Sequence, residues 1–531
     1  MLTMPGPVSV FDIPLLLDTI CAMLDPQDIG NCAMCSKEWY SSFGPYRFQS
    51  VNITSSHQDK NTFLLNNSHH IRDLTIDLCY FETFVDPNCN RLQNLTLGFS
   101  YEKNEESDRD DGKLDEMELD ELEYTKLDKA DPEILDPSLP KIYNPACAAK
   151  LIQECPSLRV LCLSNAYGSE TRRAVPITRP ILEAINNHAF LTKIEVTFSM
   201  KCRMFSILLN HLPQQLQELD VSQYTENVRN HRLCNRQIRL LSSHTSTLGL
   251  RCLSLKQYPK CFSNEALICL LKRCPELEVL RLPIPWDTRE NIARMVQALD
   301  SNCPRLHTLD QEDTFTMEQI GVLLTGFSKG FRQLHLIGVY SGDDPEWQDR
   351  QFLETLLSSA SVNTVEVLKC QWSYDNEEHV ISTLKHCKQL REFRVYLQGF
   401  TRVVDLSDLL LSMDDWACYS TLEELELRID NKRAVREHSD AESRRQRTAQ
   451  DVRELCLRLR SFPKLKTLDI YWKLKNTWDP ESYDEESYYQ ESYDKSHEIT
   501  LTLDDLNEGA LKSGSATMTK EDGAWAGLKL D

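Results

Sequence analysis

The chain has 531 residues, 26% of them charged, and a net charge of −22, a balance that repels phosphate backbones and anionic lipid and argues against a nucleic-acid or membrane-surface role. Its 19 cysteines are odd in number and scattered through apolar runs, which fits buried thiols in a reducing compartment rather than a disulfide framework. No apolar stretch reaches the roughly eighteen residues of a membrane span, and Asp12 and Asp18 interrupt the run that a secretory leader would need; the expected location is cytoplasmic, nuclear or both.

The chain opens on "IPLLLDTICAMLDPQDIGNCAMCSKEW" from Ile13, more apolar surface than so short a piece can bury by itself. Pro14 starts a helix in which Leu16, Leu17, Ile20, Met23 and Leu24 recur at helical spacing. "DPQDI" then turns the chain, with Asp28 the expected cap of a second helix carrying Ile29, Cys32, Ala33 and Cys35. Ser36 to Trp39 leads into a third. The segment resembles an F-box, in the variant seen in many fungal F-box proteins, over residues 10 to 50 including the trailing "YRFQSVNI". That resemblance implies docking to the Skp adaptor of a cullin-RING ubiquitin ligase through Pro14, Leu16, Leu17, Ile20, Leu24, Ile29 and Trp39. A cap on whatever follows is the alternative.

Next comes a recurring unit: apolar residue, two variable, Leu, one variable, apolar. It occurs as "LQNLTL" from Leu92, "LRVLCL" from Leu158, "LTKIEV" from Leu191, "LQELDV" from Leu216, "LRCLSL" from Leu250 and "LEVLRL" from Leu277. Looser forms are "LHTLDQ" from Leu306, "FRQLHL" from Phe331, "VNTVEV" from Val362, "LREFRV" from Leu390, "LEELEL" from Leu422 and "LKTLDI" from Leu465. From Leu158 to Leu422 the mean step is about 29 residues, within the leucine-rich-repeat range. Period two within each unit predicts a half-buried strand, and segments such as "NEALICLLKRC" after Ser263 predict helices between strands. "CPSL", "CPEL" and "CPRL" at Cys155, Cys274 and Cys303 end a helix with Cys and forbid its continuation with Pro. The array is similar to the cytosolic leucine-rich-repeat proteins of F-box and ribonuclease-inhibitor type.

Two segments break the array. Residues 101–136 hold 16 acidic and 5 basic residues, a composition that cannot bury a core. "ESYDEESYYQESYD" from Glu481 is acidic and tyrosine-rich. "EITLTL" from Glu498 predicts a closing strand and "TKEDGAW" from Thr519 a capped helix. The basic run "KRAVREHSDAESRRQR" from Lys432 reads as the solvated face of a long repeat helix, with nuclear import or an acidic partner as the alternative.

The fold expected is therefore α/β: a three-helix unit at 8–53, an irregular leucine-rich-repeat solenoid at 54–475 with strands on a concave face and helices outside, an acidic insertion at 101–140, and a tail at 476–531. Chemistry-bearing motifs are missing: no GxGxxG, no P-loop, no HExxH, no GxSxG. The single CxxC of Cys32 and Cys35 has no second pair to complete a zinc site. No cofactor or metal and no catalysis are expected.

The expected function is that of a non-catalytic substrate receptor in a Skp-cullin-F-box ligase, with a repeat-based scaffold or inhibitor as the alternative. Outward strand positions free to read a protein substrate are Glu195, Glu218, Asp220, Lys256, Arg281, Asp310, His335, Glu392, Arg394, Glu424, Glu426, Arg428 and Tyr471. Acids lead that set, which points to a basic target.

Overall fold

A computed structural model describes residues 14–53, 67–77, 89–99, 145–165, 179–197, 205, 208–221, 246–255, 264–282, 289–311, 317–336, 345–372, 377–399, 407–431, 454–455, 458–459, 461–475, 496–501, 516–521 and 524–530. Lys256, the acidic insertion, most of the basic run and the tyrosine-rich tract lie outside them. The chain divides into two compact units, the first made of 1–250 with 259–262 and the second of 251–258 with 263–531.

The first unit begins with α1 (Pro14–Met23), α2 (Pro26–Cys35) and α3 (Lys37–Phe43). Asp25, not Asp28, caps α2: its carboxylate accepts the Asp28 N–H at 2.8 Å. Asp28 sits one turn inside, where its charge faces the positive end of the helix. Ser36 caps α3 by accepting from the Trp39 N–H at 3.1 Å. A 3-10 turn, Gly44–Phe48, then delivers the chain into β1 (Ser50–Ile53).

That strand starts a parallel ladder through β2 (Asp73–Asp77), β3 (Asn94–Phe99), β4 (Val160–Asn165), β5 (Lys193–Val196) and β6 (Glu218–Val221). Helices α4 (Pro145–Glu154) and α5 (Arg179–Asn187) precede β4 and β5. "FQSVNI" and "IRDLTI" are thus repeat units ahead of Leu92, and β1 falls inside the span assigned above to the three-helix unit.

The second unit runs from β7 (Cys252–Leu255) through α6 (Asn264–Leu271), β8 (Val279–Arg281), α7 (Arg289–Asn302), β9 (Thr308–Gln311), α8 (Met317–Gly326) and β10 (Gln333–Leu336). It continues with α9 (Pro345–Ser358), β11 (Val367–Trp372), α10 (Glu377–His386), β12 (Glu392–Gly399), α11 (Ser407–Ser412), β13 (Glu424–Asn431) and β14 (Thr467–Lys475). Strands β7 to β14 pair in parallel and in chain order. β15 (Ser496–Leu501) adds antiparallel to β14, as the closing strand at "EITLTL" requires. In place of a helix at Thr519 there is a hairpin of β16 (Ala516–Glu521) and β17 (Ala524–Leu530); the Asp-Gly between them is the hairpin signal that outweighs the capping pattern.

Strand burial alternates as the repeat predicts, for example half-buried and buried by turns along all of β11. Eleven of the twelve quoted repeat strands lie in register. The exception is "VNTVEV": residues 360–363 form a 3-10 turn, and the true unit is "VEVLKC", with Val365, Leu368 and Cys370 buried. Three β-branched valines made two registers equally apolar, and the choice three residues early hid Lys369. A cysteine turns the chain into several of the strands: the carbonyls of Cys89, Cys155, Cys274, Cys303 and Cys387 each accept the N–H three residues on, at 3.1–3.3 Å. Their thiols act as small apolar groups, and burial pushes Cys274, Cys303, Cys387 and Cys418 up to about 12.

The leucine-rich-repeat α/β fold is therefore present in both units. One turn in the second unit requires glycine: Gly330 has φ +69°, and a Cβ there would sit 2.6 Å from Thr364 Oγ1 and 2.8 Å from the Ala360 carbonyl carbon. Gly330→Ala is expected to cost about 2 kcal/mol or more, read as a lower urea midpoint; an unchanged midpoint would show that the turn relaxes freely.

Candidate functional site

Sequence reasoning nominated two surfaces, the N-terminal helices and the outward sheet face. In the helical unit, Leu17, Cys21, Ile29, Ala33 and Phe43 form a buried core, with Ile20, Leu24, Cys32, Trp39 and Tyr46 packed around it. Trp39 and Phe43 rings lie 5.3 Å apart. Leu17 and Ile29, only 5% and 4% exposed, therefore hold the unit together and are not free to meet a partner. Pro14 begins α1. Of the nominated residues whose burial is described Leu16 alone is strongly exposed, at 40%, and it is joined by Met23, Met34 and Tyr40 at 80%, 75% and 61%.

The division follows the helix period. On α1 the stripe of Leu17, Ile20, Cys21 and Leu24 faces inward, while Leu16, Thr19 and Met23, spaced at three and four, face outward. The seven-residue spacing of Leu16 and Met23 was the available signal for an outward apolar stripe. Cys32 packs on the core and Cys35 is exposed, and among the described residues no three metal-ligating side chains cluster. Nor is any described helix long and apolar enough to cross a membrane.

The outward face of the first unit is low and nearly neutral at its start. Asn52, Thr75, Thr96 and Cys162 align across β1 to β4, then Glu195 and Asp220 across β5 and β6. Lys193 Nζ lies between Glu195 and Glu218 at 3.8 and 3.6 Å. Burial, then the Glu195 charge, pushes the Cys162 thiol up to about 11.

In the second unit the row Arg281, Asp310, His335, Lys369, Arg394, Glu426 runs across six adjacent strands. Asp310 is clamped from both sides, by Arg281 Nε at 2.8 Å and His335 Nδ1 at 3.5 Å. Arg394 contacts Glu392 at 2.6 Å, Glu424 at 3.2 Å and Glu426 at 3.5 Å. Lys369 reaches Glu392 at 3.2 Å, and Arg428 bonds Glu426 while standing 5.1 Å over the Tyr396 ring. Tyr471 pairs with Arg428 by backbone register.

Each acid nominated in this unit thus lies against a cation. These acids are not a free anionic surface, because Arg281, Lys369, Arg394 and Arg428 neutralise them. Strand neighbours are about 4.8 Å apart, so a sequence list of outward residues shows charge without showing pairing.

No family model and no curated protein matches the chain. Among solved structures it is similar to the leucine-rich-repeat-containing protein LegL7 from Legionella pneumophila, with 12% identity and a TM-score of 0.34, over 61% of this chain and 87% of that one.

The Asp310 clamp has a pH signature. Burial alone would raise this carboxyl, but the hydrogen bond and charge of His335 and the Arg281 guanidinium together hold it below its ordinary 3.8. A depressed folded-state value contributes stability above the unfolded value and loses it as pH falls through the folded one. Arg281→Gln with His335→Gln is therefore expected to destabilise by about 1 kcal/mol at pH 7, allowing for solvent screening. The gap to the parent closes below about pH 3.9. A gap independent of pH would mean that the clamp is packing alone.

Proposed function

We propose that this chain is a protein-interaction scaffold whose N-terminal helices are an F-box, docking to a Skp-type adaptor, and whose repeat array holds a protein for ubiquitination. The observation that carries the reading is the apolar surface left over in a unit that already has a core. Leu16, Met23, Met34 and Tyr40 stay 40% or more exposed, although Leu17, Cys21, Ile29, Ala33 and Phe43 close the interior. Exposing four large apolar side chains on about thirty residues gains nothing for folding; it is the composition of an interface centre.

On this reading no residue performs bond chemistry. The chain acts by holding two proteins at high effective concentration. The paired charges on the second unit's sheet face favour a partner matched in pattern rather than in net charge, since like charges placed opposite cost several kcal/mol. One observation favours the scaffold reading without a ligase: the 3-10 turn that packs on α2 and α3 runs into β1, the first strand of the array, as a simple cap would.

Co-purification with a Skp-type adaptor separates the two. Leu16→Glu with Met23→Glu is expected to lower adaptor recovery at least tenfold, the cost of placing charges in an apolar interface, with the melting transition unchanged. Leu17→Glu is expected to lose the fold of the helical unit. Full recovery with the first variant would contradict the docking face, and no recovery with the parent would leave the scaffold alone.

A further inference from the structure

The helix-to-strand turns of the first unit carry a cationic row that the sheet-face reading does not use. Ser50, Asp73, Asn94 and Val160 are register partners on β1 to β4. The residues three places before each are Arg47, His70, Arg91 and Ser157, so these take equivalent places in the turns that lead into adjacent strands. The turns that carry His70, Arg91 and Ser157 are alike: the Ile71, Leu92 and Leu158 N–H groups donate to the carbonyls of Ser68, Cys89 and Cys155 at 3.1–3.2 Å, while Arg47 lies in the 3-10 turn closed by the Gln49 N–H on the Tyr46 carbonyl at 3.1 Å. The His69 and His70 rings lie against each other, tilted by 44°, with centroids 3.9 Å apart. Arg72 and Arg159 follow two residues after His70 and Ser157.

Arg47, His69, Arg91 and Arg159 are exposed and His70 is half-buried. In the turn segments 44–50, 67–73, 89–94 and 155–160 Asp73 is the single acid, and its carboxylate accepts from Asn94 Nδ2 at 2.5 Å. Nearby Glu154 is held by Lys150 at 3.5 Å. Among the described residues no acid pairs with Arg47, His69, His70 or Arg91. Burial, then His69 and Arg91, pushes the His70 imidazole below its ordinary value, so the local field is positive within a chain of net charge −22.

We propose that this row binds a phosphoryl group on a segment of a partner protein. Adjacent strands stand about 4.8 Å apart, so Arg47, His70 and Arg91 span about 10 Å, a length suited to one or two oxyanions. A phosphoryl group offers three acceptor oxygens and close to two charges at neutral pH, and it fits three donors in a row better than a carboxylate with two oxygens. Arginine supplies planar, bidentate donors for it. A nucleic acid or a lipid surface would meet the same row but also the acidic bulk of the chain, which repels extended polyanions. The proposal stands apart from adaptor docking, because it uses neither α1 nor the sheet face.

An anion bound here stabilises the charged imidazole, so binding raises the His70 value and tightens as pH falls. The test is an NMR titration of the histidine Cε1 protons in the intact chain with inorganic phosphate, O-phosphoserine, glutamate and chloride at matched ionic strength. Phosphate and phosphoserine are expected to raise the His70 midpoint by about half a unit or more, and glutamate and chloride by much less. Exposed Arg91→Ala with Arg47→Ala is expected to raise the anion-free midpoint and weaken the phosphate response at least fivefold. Equal effects of all four anions would reduce the site to charge screening, an equal glutamate response would replace phosphoryl with carboxylate recognition, and a phosphate response untouched by the double variant would place the site elsewhere; each overturns the proposal.

Discussion

One backbone interaction recurs through both units and fixes everything built on it. A carbonyl at the start of each strand accepts two N–H groups from the next strand: Arg72 O takes Gln93 and Asn94, Gln93 O takes Arg159 and Val160, and Arg159 O takes Thr192 and Lys193, all at 2.8–2.9 Å. In the second unit the same fork joins Arg251, Glu278, His307, Arg332, Glu366, Arg391 and Glu423 to their successors. A slip of one residue would break both bonds and turn every leucine outward. Because register is pinned at this point, side chains at equivalent positions fall into straight columns whatever the loop lengths between them.

Columns turn a one-dimensional sequence into a surface of paired charges. At the forked position of the second unit, Glu366, Arg391, Glu423 and Lys466 follow one another. Arg391 meets Glu366 at 3.9 Å and Glu423 at 2.6 Å, and Lys466 meets Glu423 at 2.6 Å. Further along the strands, Arg394 and Arg428 neutralise the glutamates of β12 and β13. In the first unit arginine and histidine stand at the turns, while on the sheet face Lys193 lies between Glu195 and Glu218. The same scaffold thus carries paired charge on the sheet face of both units and, in the first, a separate cationic row at the turns.

The repeat was legible in the sequence because burial follows period two so closely: Leu161 and Leu163, or Leu219 and Val221, are buried as the pattern requires. Legibility failed where several residues satisfied one rule. Val362 and Val365 both open an apolar triplet, and only the buried position of Leu368 selects the second. In the helical unit the motif gave the right helices but not their inward face, since Leu16 and Leu17 are equally apolar and only α1's contacts with α2 and α3 separate core from surface. Charge pairing was illegible throughout, because Arg281 and Asp310 are 29 residues apart and meet only across strands.

The proposed adaptor docking requires α1 to α3 to present their outward apolar side chains while the inward ones form the core. Hydrogen–deuterium exchange of the intact chain with and without a Skp-type adaptor tests it most directly. Docking through these helices gives added protection in 14–43, centred on the segments of Leu16, Met23, Met34 and Tyr40, with β1 to β14 unchanged. Protection spread over the repeat strands with none in the three helices would contradict it.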